Sequence, residues 1–320
     1  MADTRVIFMG TPQFAVPSLE RIIAKGFSVP AVVTAPDKGA GRGRVLRESP
    51  VKKFAVEKGL YLMQPDNLKD PAFISKIKEL EPDIIAVVAF RVLPGEVWSL
   101  PPLGTVNLHA SLLPRYRGAA PINHAIINGE EVTGVTTFLI EKQIDHGQIL
   151  MQREVPIGPS ETAGELHDRL MLVGAGLLEE TIERLREGSL TPVPQDEAGG
   201  DDLPLAPKIS KSDCRIDWTM GRRSVFDFIR GLSPSPASWT ILHGKGGEKT
   251  TVKIFFAEIP DRDVSLKPGE VLSDNCNYIC VGCGDGPIEI KSLQLPGKKR
   301  LAVKEFLKGF DFDEDSFMDD

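Results

Sequence analysis

The stretch Asp83–Ala89, DIIAVVA, restricts the fold of this chain more than any other. Six of its seven residues are apolar and show no alternation, so neither side of the segment can face water. A central parallel strand requires such a run, because helices cover both faces of a parallel sheet. Arg5–Met9, RVIFM, is a second run of the same kind and ends at Gly10-Thr11-Pro12. A helical pattern follows from about Phe14 to Lys25, with Pro17 confined to the first turn and Gly26 as the stop. Ser28–Thr34 then supplies another strand. Strand, helix, strand is the βαβ unit of a parallel sheet, and the expected class is α/β. GTPQFA after the first strand lacks the closely spaced glycines of the dinucleotide fingerprint, which argues against a nicotinamide or flavin oxidoreductase.

At 320 residues the chain has room for two domains. Further strands are predicted over 61–64, 133–140 and 149–157, with a helix over 71–80. One long amphipathic helix running to Glu187 closes a first domain, residues 1–188. Residues 189–207, rich in proline and glycine, read as a surface linker. Beyond it, a helix over 223–232 and short turn-punctuated runs (SWTIL, TVKIFFAEI, GEVLSD, YICVGC, PIEIKSLQL) predict a small β-barrel or sandwich over 208–310. The last ten residues, 311–320, carry six carboxylates and no base, and are expected to be a disordered, solubilising tail. The net charge of −7 hides a basic island, since residues 208–310 hold 17 Lys+Arg against 12 Asp+Glu. Such an island permits a polyanionic partner and equally suits an ordinary solvated surface. No apolar run is long enough to span a membrane, and a strand that begins at residue 5 leaves no room for a signal peptide. Four cysteines, three of them late, do not make a secreted disulfide framework, so the expected compartment is the cytoplasm. Cys276, Cys280 and Cys283 lack a paired C-x-x-C partner and read as buried strand cysteines; no metal is expected.

Chemistry concentrates in residues 104–121, GTVNLHASLLPRYRGAAP. Strand side chains repeat with period two, so Asn107 and His109 share a face while Val106 and Leu108 take the other. They leave the carboxyl end of a strand, where open α/β sheets bind ligands. An amide and an imidazole side by side can donate hydrogen bonds to the oxyanion of an acyl-transfer intermediate. No G-x-S-x-G elbow supplies a nucleophile, which favours direct transfer over a covalent acyl-enzyme. Asp145, in IDHGQ between two strands, is by itself common turn chemistry. Residues 36–50, PDKGAGRGRVLRESP, form a long loop whose Lys38, Arg42, Arg44 and Arg47 could bind phosphates or simply be solvated. His124 reads as a surface or capping residue, and His146 and His167 have no metal-ligand spacing. The residues alone stop at acyl or one-carbon transfer, since Asn and His on a strand also serve structural roles.

NLHASLLPRYRGAAPI resembles the N-x-H-x-S-L-L-P-x-x-R-G signature of folate-dependent formyltransferases, and IDHGQIL is similar to their downstream aspartate segment. FMGTPQFA, PDKGAGRGRVLRESPVK, TGVTTF and QLPGKKRL extend the resemblance to members that act on an aminoacyl-tRNA. It covers both domains in order, about 310 residues, and omits only the acidic tail. The resemblance implies a Rossmann-like parallel sheet followed by an OB-like β-barrel. It implies transfer of the formyl group of 10-formyltetrahydrofolate to the α-amino group of methionyl initiator tRNA, through a tetrahedral intermediate, by a cytoplasmic monomer. Carried over by position, Asn107, His109 and Asp145 are the catalytic residues. Ser111, Leu112, Leu113 and Pro114 match the folate-binding segment, and Val88 and Phe90 flank the turn that holds the pterin. Arg42, with Arg44 and Lys38 in the same loop, matches the arginine that contacts the acceptor stem, and the basic second domain would hold the tRNA backbone. Here Phe90-Arg91 stands where the family often has Tyr-Gly and one residue more, which alters the rim of that pocket. The rival readings are a formyltransferase acting on an amino sugar or nucleotide, a folate-dependent hydrolase, and a non-catalytic RNA-binding module.

Overall fold

The protein is described here by a computed structural model covering residues 4–40, 45–195, 203–244, 248–261, 264–313 and 316–319. In chain order, β1 (Val6–Gly10), α1 (Val16–Ala24) and β2 (Val32–Val33) lead into two short strands, β3 (Lys38–Ala40) and β4 (Val45–Arg47). Then come α2 (Pro50–Glu57), β5 (Leu62–Met63), α3 (Pro71–Glu79), β6 (Ile84–Val88), α4 (Gly95–Trp98), β7 (Thr105–His109) and β8 (Arg117–Gly118). They are followed by α5 (Pro121–Ile127), β9 (Val132–Leu139), β10 (Ile149–Pro156) and α6 (Ala163–Arg186). The remainder holds β11 (Leu205–Ala206), α7 (Arg222–Leu232), β12 (Ser238–His243), β13 (Lys249–Glu258), β14 (Val271–Ser273) and β15 (Ile279–Cys283). Last are β16 (Gly286–Gln294), β17 (Leu301–Ala302), α8 (Val303–Phe306) and β18 (Phe317–Asp319). By compactness one unit gathers residues 1–118, 132–156 and 167–205, and the other 119–131, 157–166 and 206–320.

The first unit is a seven-stranded sheet in the order β10-β9-β7-β6-β1-β2-β5. Its five strands from β7 to β5 are parallel, and β9 and β10 add an antiparallel hairpin beside β7. Every residue of β1 and β6 is buried, as their unbroken apolar runs require. On one face Ile7, Met9, Ile85 and Val87 pack with Phe73 and Ile77 of α3 and Val97 of α4. On the other, Gly174 of α6 lies so close to Leu108 that an added Cβ would sit 2.9 Å from its Cδ2. Residues 36–50 are not one structureless loop. Lys38–Ala40 pairs antiparallel with Val45–Arg47 around residues 41–44, and the base of this hairpin is fixed by polar groups. Lys52 pairs with Asp37 on one side and with Glu48, at 3.0 Å, on the other, while Gln64 Nε2 donates to Asp37 at 3.0 Å. Those bonds, Lys52 first, hold the Asp37 carboxyl below its ordinary pKa.

The second unit is an almost closed antiparallel barrel, ordered β14-β15-β16-β13-β12-β18 with β17 on β16. Trp218, Phe226, Ile229, Ile254, Val281 and Ile290 form its core, and the Trp218 indole N–H donates to Thr240 at 3.0 Å. Asp227 of α7 is 3% exposed and accepts from Arg230 Nε at 2.6 Å and from Arg223 Nε at 2.7 Å. Arg230, 2% exposed, also donates from Nη1 to the carbonyls of Glu161 (3.0 Å) and Gly158 (3.3 Å). Contrary to the expectation of a disordered acidic tail, Phe317–Asp319 is a strand paired with β12, and Met318 is 1% exposed. Phe317 also bridges Glu270, just before β14, so the tail closes the barrel from both sides. His243 Nε2 lies 2.7 Å from Asp319 Oδ2, and its ring stacks on Phe317 at 4.0 Å.

Cys280 and Cys283 lie buried in β15, Cys214 is buried, and Cys276 is exposed. Burial, reinforced by Asp285, pushes the Cys283 thiol up to about 12, and burial likewise raises Cys214. A maleimide at pH 8 should therefore label one thiol of the folded protein rapidly, at Cys276, and all four after unfolding. A second fast site in the folded state would contradict this burial. Among the described residues no group of three or more His, Cys, Asp or Glu could hold a metal, and no helix is long and apolar enough to cross a membrane.

Candidate active site

The chain leaves β1 toward β2 and β5 on one side, and β6 toward β7 on the other. The carboxyl ends of β1 and β6 therefore flank the point where the strand order reverses, the usual place for a ligand crevice in such a sheet. Gly10 pairs there with Val88, and an added Cβ on Gly10 would lie 3.1 Å from the Val88 carbonyl. Thr11, the next residue, keeps a hydroxyl shielded from solvent and, among the described residues, without a hydrogen-bond partner.

β7 brings Asn107 and His109 to the same edge and the same face. Asn107 stands beside Val87 of β6 and opposite Phe138 of β9, half-buried. Among the described residues its amide has no hydrogen-bond partner. His109, 7% exposed, lies with Nε2 at 2.9 Å from the Tyr116 carbonyl oxygen. A carbonyl can only accept, so Nε2 carries the proton and donates. In the neutral ring Nδ1 is then an acceptor, and among the described residues nothing bonds it. Among the described residues the Tyr116 carbonyl, and not Asp145, is the group that orients this histidine.

Asp145 is anchored to the same turn, accepting the Gly118 N–H at 3.1 Å on Oδ2. Its left-handed φ of +56° is tolerable for an aspartate in a tight turn. Gly147, two residues on, is obligatory, because a Cβ there would fall 1.6 Å from the Leu139 carbonyl oxygen. Tyr116 and Gly118 thus hold the imidazole and the carboxylate from one three-residue stretch.

The segment between them is tied inward. Ser111, fully buried, spends its hydroxyl on the Arg115 carbonyl at 2.8 Å. Thr136 donates to the Ser111 carbonyl at 2.7 Å and accepts the Leu113 N–H at 3.1 Å. Gln152 donates to the Leu113 carbonyl at 2.8 Å. Leu113 is buried, while Leu112 and Pro114 are half-buried. Leu112 lies over Gly134 of β9, where a Cβ would come 2.5 Å from Leu112 Cδ2. At the end of β6, Val88 is buried, Ala89 turns the chain at φ +47°, and Phe90 is half-buried. Arg91 lies over the Phe90 ring at 5.3 Å and donates to the carbonyls of Pro65 (2.7 Å) and Asp66 (3.0 Å). Burial lowers its pKa, opposed by Asp66. Beside it an open cavity of about 430 Å³ runs between residues 66–69 and 91–94. Of the basic loop residues, Lys38 stands in β3, and Arg42 and Arg44 lie outside the described residues, as does the Lys38 side chain.

Residues 4–182 match the family described as Formyl transferase, and residues 208–311 match the one described as Formyl transferase, C-terminal domain. The chain belongs to the formyl transferase family. Within it, this formyl transferase is similar to the methionyl-tRNA formyltransferase of Bacteroides fragilis, at 48% identity over 313 residues, 98% of this chain and 97% of the other. In fold it is similar to an N-formyltransferase from Helicobacter canadensis in complex with folinic acid and dTDP-3-aminofucose. There the TM-score is 0.67 at 20% identity, over 90% of this chain and 98% of that one. It also matches HypX from Aquifex aeolicus in complex with tetrahydrofolic acid, with a TM-score of 0.63 at 21% identity, over 98% of this chain but about half (49%) of that one.

The sequence does not announce the residues that frame this candidate site. Thr136 and Gln152 sit in strands with ordinary patterning, and Gln195 sits in a segment whose composition reads as linker. Gln195 is nonetheless 8% exposed and donates to the Asp145 carbonyl at 2.9 Å.

Proposed function

We propose that this formyl transferase moves the formyl group of 10-formyltetrahydrofolate onto the α-amino group of methionyl initiator tRNA, for translation initiation. The observation that carries the chemistry is the pair at the end of β7: among the described residues, nothing engages the Asn107 amide or Nδ1 of the His109 ring beside it. Attack by the amine on the formyl carbon turns the formyl oxygen into an oxyanion. The Asn107 N–H donates to it in a half-buried setting, where one such donor is worth far more than in water. Neutral His109 takes the surplus proton of the attacking amine on Nδ1, and can return it to the nitrogen that leaves. Asp145, held by Gly118, keeps a negative charge at the edge of the site that favours the transient imidazolium and the incoming ammonium.

A seat for the folate at the ends of β1 and β6 is supported by the shielded Thr11 hydroxyl and by the open cavity beside Arg91. Leu112, Pro114 and Phe90 offer half-buried apolar surface to it, whereas Ser111 contributes by fixing the turn. For the acceptor, the near-full-length similarity to the Bacteroides fragilis enzyme weighs more than the 20% likeness to a protein solved with an amino-sugar nucleotide. The enzyme would work in the cytoplasm as a monomer, with the basic second domain against the tRNA backbone. Purified protein given 10-formyltetrahydrofolate should formylate methionyl initiator tRNA and leave amino-sugar nucleotides unmodified. Formylation of the sugar and not of the tRNA would overturn the reading.

The basic loop is assigned to the tRNA. Arg42→Ala is expected to raise KM for the tRNA and to flatten the dependence of log K on log salt by about one unit, without changing folate affinity. Titrations at several salt concentrations would measure this. Equal damage to folate binding would refute the assignment.

A further inference from the structure

The loop that carries Asp145 has almost nothing apolar to hold it. Residues 141–144 are exposed, and Ile144 at the tip is 61% exposed. What fastens it is polar. Besides the Gly118 N–H on the carboxylate, one side chain engages its backbone twice: Gln195 Nε2 donates to the carbonyls of Asp145 (2.9 Å) and Gly147 (2.8 Å). The same amide accepts, on Oε1, from Arg117 Nε (3.0 Å) and Nη2 (2.6 Å). Its orientation is unambiguous, because a guanidinium can only donate and a carbonyl can only accept. Arg117 itself lies between Tyr116, whose carbonyl holds His109, and Gly118, whose N–H holds Asp145. The bonds therefore form a closed ring: the 116–118 turn to Gln195, Gln195 to the Asp145 loop, and the loop back to the turn.

We propose that Gln195 is a positioning residue for formyl transfer, locking the Asp145 loop to the turn that holds His109. This rests on the assignment of Asp145 as a catalytic residue. A primary amide is the group the place demands, since it satisfies two carbonyls and one cation together. Glutamate keeps the acceptor for Arg117 but loses both donors and sets a negative charge against the two carbonyls. The locked loop carries its aspartate in a left-handed conformation that an untethered turn has little reason to keep.

The test is a double-mutant cycle on the full-length enzyme with Gln195→Glu, Asp145→Asn and the pair, followed by steady-state turnover, folate-binding stoichiometry and thermal midpoint. Gln195→Glu should lower kcat about ten- to a hundredfold, with KM for both substrates within about twofold and an unchanged number of folate sites. Asp145→Asn should lose more, and the double variant should be no worse than Asp145→Asn by more than about threefold, because Gln195 acts through Asp145. Effects that multiply in the double variant, or a Gln195→Glu enzyme within about twofold of the parent beside a crippled Asp145→Asn, would overturn the proposal. Parental turnover in Asp145→Asn would instead remove the catalytic assignment beneath it. If Gln195→Glu does not fold, Gln195→Met, of similar length and without polar atoms, carries the same expectations.

Discussion

Asn107→Ala is expected to lower turnover about a hundred- to a thousandfold, roughly 2.7–4 kcal/mol of transition-state stabilisation, with folate affinity nearly unchanged. The size follows from how the amide is held. Its strand is fixed between β6 and β9, its neighbour Leu108 is 4% exposed under α6, and its donor has no bond among the described residues to give up. An oxyanion arriving there meets an N–H already in place, so little reorganisation is needed. The loss should appear equally in kcat and kcat/KM, as for an interaction made only in the transition state. A rise in KM at constant kcat would mean that Asn107 binds substrate and transition state alike. Near-parental turnover would remove it from the mechanism.

Asp227→Ala should destabilise the second unit by about 3–5 kcal/mol, the cost of leaving a buried partner charge unpaired. The stranded group is Arg230, 2% exposed, whose Nε would lose the Asp227 carboxylate, its one carboxylate partner among the described residues, while Nη1 keeps two carbonyls. Urea unfolding monitored at the Trp218 environment would measure it. Arg223→Ala is the control. Arg223 bonds the same carboxylate at 2.7 Å, yet its side chain is 57% exposed, so its removal should cost less than about 1 kcal/mol. Similar losses in the two variants would mean that the pair is not buried in the sense described.

Apolar runs made the centre of the fold legible. RVIFM and DIIAVVA became β1 and β6, and strand periodicity alone placed Asn107 and His109 on one face. Where side chains answer to distant backbone, the sequence was mute. Ser111 matches the folate-binding segment of the resemblance, but its bond to the Arg115 carbonyl depends on how the 111–118 turn closes. Gln195 stands 50 positions from Asp145 and 78 from Arg117, among prolines and acids that suggest free linker. Composition also misled. Six carboxylates in ten residues describe a solvated tail, while the alternation Ser316, Phe317, Met318, Asp319 places one methionine inward with 1% exposure. Likewise KGA and VLR in the basic loop show no amphipathic pattern, and their pairing follows from Lys52 holding both ends of the hairpin.

The strand at residues 317–319 also sets an order of events. β12, one of its neighbours, contains His243, which meets Asp319 across 76 positions, and its other neighbour is the chain at Glu270. On the ribosome the parallel sheet of the first unit has all its strands early, and can begin to assemble while synthesis continues. The barrel cannot. Until residues 317–319 emerge, the nascent chain presents two unpaired sheet edges, at β12 and at Glu270, to whatever else is nearby. The carboxylates that flank those few residues favour a solvated chain end until the strand pairs with the edges already waiting for it.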